Sequence, residues 1–176
     1  MGVRNYLIEG VSGAGKTSVA AELQRRGYHV IHGDRELAYQ GDPETGERLG
    51  VDAHIVSGGD IAFAHTHHIW DVEKVRSLVV DQGHAMTFFC GGSRNFRRFI
   101  DWFDDVFVLS IDGATLERRL VGRPRDEFGG TLEQRAFIRR LHATLEDVPQ
   151  AATIIDATAP LARVVDDILS KCRRGV

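Results

Sequence analysis

Gly10-Val11-Ser12-Gly13-Ala14-Gly15-Lys16-Thr17 spells the pattern G-x-x-x-x-G-K-[ST], and the residues on either side decide how it is read. Before it, Val3 to Glu9 (V-R-N-Y-L-I-E) has the β-branched and aromatic character of a short strand. After it, K-T-S-V-A-A-E-L-Q-R-R places Val19, Ala20 and Leu23 on one helical face, and Gly27 supplies a stop. A strand that turns through glycines into a helix aims several backbone N–H groups, and the positive end of the helix dipole, at one point in space. Such a point binds an anion. The stretch therefore predicts a nucleotide phosphate site built from Gly10, Ser12, Gly13, Ala14, Gly15 and Ser18, with Lys16 reaching the outer phosphates and the Thr17 hydroxyl as the Mg²⁺ ligand.

Outward from the loop, strand-like and helix-like stretches alternate along the chain, which is the signature of parallel β-α-β units with helices on both faces of a sheet. Five strands are predicted, at 3–9, 28–32, 85–90, 105–111 and 151–156. Helices are expected at 16–26, 71–82 with Asp71 as N-cap, 94–103, 113–121, 131–146 and 160–173. Two stretches break the rhythm: Gly41 to Asp60, and Gly122 to Gly130 (G-R-P-R-D-E-F-G-G). Long irregular segments in an α/β domain are usually functional loops or lids.

A chain of 176 residues, 43% hydrophobic and 27% charged, fits one domain, and residues 1–176 are read as one. The opening M-G-V-R-N-Y has no apolar leader and no apolar run approaches a membrane span, so neither a signal segment nor a membrane partner is expected. Cys90 and Cys172 stand far apart with no C-x-x-C spacing, which suits a reducing, cytoplasmic setting. The net charge of −3 argues against a broad nucleic-acid footprint. The arginines nevertheless cluster, at Arg94/Arg97/Arg98, at Arg118/Arg119/Arg123/Arg125 and at Arg135/Arg139/Arg140.

Beyond the loop, the chain resembles the nucleoside monophosphate kinases and their small-molecule kinase relatives, such as adenylate, shikimate and gluconate kinases. Gly33-Asp34-Arg35-Glu36-Leu37 is similar to the Thr-Gly-Asp-x-Leu-Arg segment that opens the acceptor-binding helices, and Cys90-Gly91-Gly92-Ser93-Arg94 to the Asp-Gly-Phe-Pro-Arg turn. Arg119-Leu120-Val121-Gly122-Arg123 looks like the Arg-x-x-Gly-Arg entry to the lid, and Arg125-Asp126 with Arg135 resembles the lid arginines and the returning helix. Ile155-Asp156-Ala157-Thr158-Ala159-Pro160 looks like the Val-Asp-Gly-Thr-x-Pro turn beside the adenine. These matches fall in order at strand C-termini, where open α/β sheets bind ligands. The resemblance implies a P-loop NTPase fold of α/β class: a five-stranded parallel sheet in the order 2-3-1-4-5, an acceptor-binding insert over 34–70 and a lid over 122–131. It also implies ATP and Mg²⁺ as cofactors, with Thr158 and Pro160 near the base.

Phosphoryl transfer spreads negative charge over the oxygens in transit, so it needs positioning and cations. By the family's pattern Arg119, Arg123 and Arg125 close over the triphosphate, and Arg135 arrives from the next helix toward the substrate. Arg94 is expected on the acceptor, because a guanidinium holds a phosphate or carboxylate in bidentate fashion, with Arg35 alongside. Asp34 has two readings: a base for an alcohol acceptor, or a helix cap if the acceptor is itself a phosphate. Cys90 departs from the family, standing where an aspartate helps hold the metal's water shell. Asp34 and Asp112, both near strand ends, are the candidate substitutes, and Cys90 is read as a buried small hydrophobe. His65, His67 and His68 lack the cysteine partners of a structural zinc site and are read as pocket lining or helix surface. Phe96, Phe99, Ile100 and Phe103 are read as core.

The expected activity is ATP- and Mg²⁺-dependent transfer of the γ-phosphate to a small acceptor, a nucleoside or nucleotide or a sugar-like or antibiotic alcohol. The acidity of G-D-P-E-T-G-E-R-L-G, inside the insert, leans toward an acceptor that is neutral or bears a hydroxyl. Competing readings are a nucleotide-dependent switch or binding module, and a polynucleotide 5′-kinase. A conventional GTPase is excluded, since Asn5 and Asn95 are the only asparagines and neither stands in an Asn-Lys-x-Asp guanine motif. The acceptor's identity, ATP against GTP, and a homo-oligomeric state stay open.

Overall fold

The period-2 alternation of the strands sorts the core into two layers. The computed structural model describes residues 3–50 and 59–174. In β1 (Arg4–Glu9), Tyr6 and Ile8 face one side of the sheet and Leu7 the other; in β5 (Met86–Cys90), Phe88 and Cys90 face the first side and Phe89 the second. The first side packs on α1 (Lys16–Arg25), α5 (Gly113–Val121), α6 (Leu132–Thr144) and α7 (Leu161–Arg174), through Val19, Leu23, Leu116, Ile138 and Val165 among others. The second side packs on α4 (Val72–Val79) through Val75, and on Trp70, Phe99 and Phe103.

Together with β2 (His29–His32), β6 (Asp105–Ser110) and β7 (Thr153–Asp156), these strands form one parallel sheet in the order β2-β5-β1-β6-β7. Counting only its members, that is the expected 2-3-1-4-5. β1 lies at its centre, so the loop after β1 opens where the connections diverge to opposite faces, the crevice such sheets use for ligands. No helix among the described residues is long and apolar enough to cross a membrane.

The Asp71 cap and the Gly27 stop hold where the sequence placed them, and the structure adds a third device. Asp71 accepts hydrogen bonds from the Glu73 and Lys74 N–H groups, Gly27 sits at φ 87° after α1, and Thr131 with Gln134 forms a capping box on α6. The helix expected at 94–103 is instead two 3₁₀ turns, Phe96–Arg98 and Ile100–Trp102. Phe99, at φ −144°, breaks the helical path between them and stacks on Trp70 with ring centroids 5.8 Å apart. Of the four residues read as core, Phe99 and Phe103 are buried, while Phe96 and Ile100 are half-buried against the same cluster.

The insert after β2 is built differently from a pair of helices. α2 (Gly33–Glu36) is a single turn, after which β3 (Ala38–Gln40) pairs antiparallel with β4 (His68–Trp70), reached through α3 (Ile61–Thr66). Positions 51–58 of the predicted irregular stretch lie outside the described residues. The acidic turn that follows Gly41 closes on itself: Asp42 Oδ1 accepts from the Glu44 and Thr45 N–H groups, at 2.9 and 2.8 Å. It lines no part of the cleft, so its acidity says nothing of the acceptor, contrary to the lean drawn from the sequence.

Candidate active site

A cleft of about 1190 Å³ opens at the C-terminal edge of the sheet, with the glycine loop as its floor. Gly13 and Gly15 adopt φ values of 95° and 106°, in the left-handed region that a Cβ disfavours. Gly15 is also the N-cap of α1 and brings no capping side chain, so the first-turn N–H groups of Lys16, Thr17 and Ser18 are left for an anion. Lys16 Nζ folds back onto the loop, donating to the Gly10 carbonyl and, at 3.3 Å, to that of Val11. A phosphate bound on the loop would offer this ammonium a charged partner in place of those carbonyls.

Two arginines brace the loop from the α5 side. Arg119 donates to the carbonyls of Gly13 (2.9 Å), Ala14 (3.0 Å) and Ala157 (3.0 Å), tying the loop to the turn after β7. Arg123 donates to Ser12 Oγ at 2.9 Å and to the Phe128 carbonyl, tying the loop to the 122–131 segment. Burial lowers the Arg123 pKa, without threatening its charge at neutral pH. Both arginines border the cleft, as do Glu127, Phe128 and Gln134 from the segment and the start of α6.

Across the cleft, α2 and β4 carry the other wall. Asp34 Oδ1 accepts from His68 Nε2 (3.2 Å) and from the Gly92 N–H (3.1 Å). Burial opposes its ionisation, but the His68 hydrogen bond, the Lys16 charge and the Gly92 N–H outweigh it and hold the carboxyl below its ordinary range. Asp34 therefore caps no helix: the N-cap of α2 is His32, and the carboxylate turns toward the cleft.

Behind this wall lies a charged cluster. Arg94 Nη1 donates to the Asp147 carbonyl and stands 3.5 Å from Asp147 Oδ2, which also lies 3.3 Å from His65 Nε2. Glu9, 0% exposed, accepts from the N–H groups of Ser93 (3.0 Å) and Gly10 (3.3 Å). Burial pushes its carboxyl up to about 7, against the pull of the Arg94 and Lys16 charges.

No protein-family model matches the chain, and no curated protein sequence does either. Solved structures do. A shikimate kinase from Acinetobacter baumannii in complex with shikimate superposes with a TM-score of 0.60 at 17% identity, over 98% of this chain and 94% of its own. A gluconokinase from Sinorhizobium meliloti gives 0.52 at 19%, over 97% and 92%. A deoxyadenosine kinase from M. mycoides with bound dATP gives 0.50 at 15%, over 96% and 99%. The fold is that of the P-loop kinases.

Within that fold the predicted residues divide. Gly10, Ser12, Gly13, Ala14, Gly15, Lys16, Thr17, Ser18, Asp34, Arg35, Arg94, Arg119 and Arg123 all border one cleft. Arg125, Thr158 and Pro160 do not: they are exposed, and Ala157, Ala159 and Leu161 line the cleft beside the last two. Thr158 is turned to Asp156, whose Oδ1 accepts from its N–H at 2.9 Å. Arg135 holds the 122–131 segment by its backbone, donating to the Gly129 carbonyl at 3.0 Å. Asp112 caps α5 through the Thr115 N–H, which removes it as a metal substitute, and buried Cys90 has its thiol pKa raised by desolvation. His65 and His68 border the cleft, whereas His67 stacks on Phe63 at 4.0 Å, and no metal-holding cluster of His, Cys, Asp or Glu occurs among the described residues.

Sequence reasoning missed Glu9, Asp147 and the pairing of His65 with it. Glu9 had a signal: a carboxylate closing the run Y-L-I-E in a strand buried on both faces needs a reason. Asp147, in a loop remote in sequence, had none.

Proposed function

We propose that the protein transfers the γ-phosphate of ATP to a hydroxyl of a small acceptor, with Asp34 as the base. The observation that carries this reading is the Asp34 carboxylate, facing the glycine loop across one cleft and held ionised by partners that leave its second oxygen for a hydroxyl. A phosphate acceptor needs no such base. The volume supports the reading too, since roughly 300–1,000 Å³ serves one ligand and about 1190 Å³ leaves room for a nucleotide and a second molecule. That room also weighs against a switch that holds a nucleotide alone.

In the proposed reaction the acceptor hydroxyl gives its proton to Asp34. Its oxygen bonds to the γ-phosphorus as the bond to the β,γ-bridging oxygen breaks, and ADP leaves. Lys16, the α1 N–H groups and Arg123 meet the charge on the oxygens in transit, while Arg119 keeps the loop shaped to receive them. Thr17 fits Mg²⁺ through its hydroxyl at the cleft, and Asp34, on the opposite wall, is a carboxylate that could hold a water of its shell. When bound, Mg²⁺ would neutralise charge between the outer phosphates. A metal whose remaining ligands are phosphates and water does not demand a protein cluster, so Cys90 is compatible with it.

Asp34→Asn tests the base. With ATP, Mg²⁺ and a responding acceptor, kcat should fall by roughly 10²–10⁴-fold while the KM for ATP stays within a few-fold. A kcat within threefold of the parent would remove Asp34 from the chemistry and leave the phosphate-acceptor reading in its place.

A further inference from the structure

The acceptor end of the cleft is short of free positive charge. Arg94 is its most deeply placed cation, with a side chain only 11% exposed, and Asp147 engages its Nη1 through both the backbone carbonyl and Oδ2. Glu9 approaches the same place without pairing with it, a Cβ on Gly92 standing 3.3 Å from Arg94 Nη2 and 3.4 Å from Glu9 Oε2, and Arg94 Nε is buried with no hydrogen-bond partner. Arg35 is exposed at the mouth of the cleft, and Lys16 and Arg123 belong to the phosphate side.

Asp147 supplies the second observation. The residue is 8% exposed and borders the cleft; its Oδ2 meets His65 and Arg94, yet its Oδ1 is buried with no hydrogen-bond partner. Burial works against its charge, but His65 and Arg94 prevail and hold the carboxyl below its ordinary range. A buried carboxylate oxygen without a donor is a cost the fold does not recover by itself. His65, whose Nε2 is likewise buried without a hydrogen bond, stands with its ring edge-on to Phe137 of α6 at 5.2 Å.

We infer that Asp147 recognises the acceptor, and that the acceptor is a hydroxyl compound with no carboxylate or phosphate that presents an N–H or O–H donor to Asp147 Oδ1. This rests on the kinase reading above. An anionic acceptor would bring a further negative charge beside Asp34 and Asp147 and would have to compete with Asp147 for Arg94. A neutral polyol, a nucleoside or an amino-substituted polyol brings the missing donor and no such conflict, with Ile61 and Ala64 of α3 offering apolar contact. Specificity of this kind comes from an unpaired site group that only the right ligand satisfies.

Acceptor pairs in which one member carries an anionic group that the other lacks test it on the unaltered protein: adenosine against adenosine monophosphate, shikimate methyl ester against shikimate, and glucose or glucosamine against gluconate. ADP release is followed with ATP and Mg²⁺, and the product is confirmed by mass. In any productive pair the uncharged or amine-bearing member should lead by at least about tenfold in kcat/KM. Preference for the anionic member would overturn this inference and leave the kinase standing. Transfer to no member of any pair would remove the kinase reading and this inference with it. Asp147→Asn should then raise the KM for the preferred acceptor by roughly 10- to 100-fold with the KM for ATP within about twofold. An unchanged acceptor KM in that variant would overturn the role of Asp147.

Discussion

Glu9 ends a central strand with a carboxylate that no water reaches, between the first N–H of the phosphate loop and the guanidinium of Arg94. Such a group carries a proton in the folded state at pH values where the unfolded chain has lost it. With its carboxyl pushed up to about 7 in the folded state from an ordinary 4.5, its contribution to stability is fully present below about pH 4.5 and is lost as the pH rises through about 7. At 1.36 kcal/mol per pKa unit the loss is on the order of 3 kcal/mol. Glu9→Gln should therefore flatten this part of the stability–pH curve, and urea midpoints at pH 5 and pH 8 should differ less in the variant than in the parent. Equal slopes in the two proteins would show that Glu9 ionises normally and that its burial is otherwise compensated. The residue scale is also where the sequence was least legible. Lys16 and Thr17 were readable because one loop geometry demands those types at that spacing, while Asp147 reaches Arg94 only through the tertiary path that brings the loop before β7 against the loop after β5.

The elements of the insert meet the sheet at one joint. Trp70, at the end of β4, slides beneath Gly33 and Gly91, and a Cβ on Gly33 would fall 2.0 Å from Trp70 Cζ2. Asn95 locks the same tryptophan by its backbone, accepting from its N–H at 3.0 Å and donating to its carbonyl at 2.9 Å, while Arg94 N–H bonds to the His68 carbonyl at 2.9 Å. This joint sets where Asp34 and His68 stand. Gly33→Ala should cost about 1–3 kcal/mol, because the indole is held against Phe99 and cannot yield. Asn95→Ala should cost about as much by leaving the Trp70 backbone groups unpaired. Both should raise the acceptor KM more than the ATP KM; a neutral Gly33→Ala in a urea melt would mean that Trp70 has another place to go. The five parallel strands were legible from β-branched and aromatic runs and turn residues, most clearly β1, β5 and β6, which bury both faces and so read as nearly continuous apolar runs. The antiparallel β3–β4 pair was not, because each strand spans three residues, with too few positions to show a period, and the two lie far apart in the chain.

At the scale of the whole molecule, the glycine loop is the point where three parts of the chain are tied together. Arg119 fastens it to the turn after β7, Arg123 to the 122–131 segment, and Glu9 to the Ser93–Arg94 turn on the acceptor side. A nucleotide that binds the loop therefore binds only the folded arrangement, and by mass action should stabilise it by about 2.7 kcal/mol at a concentration 100 times Kd. For a domain of this size, where a kcal/mol shifts Tm by roughly 2–4 °C, ATP with Mg²⁺ should raise the melting temperature by about 5–10 °C. Lys16→Ala should abolish most of that shift, and turnover with it, without lowering the ligand-free Tm. The Lys16 ammonium makes its bonds to loop carbonyls that water can serve in its place, so the cost of removing it falls on the bound state alone. A variant that melts well below the parent without ligand would show that the lysine also holds the loop together. One that keeps the full ATP shift would place the triphosphate elsewhere than on the sequence Gly10 to Thr17, and the assignment of the cleft would fall with it.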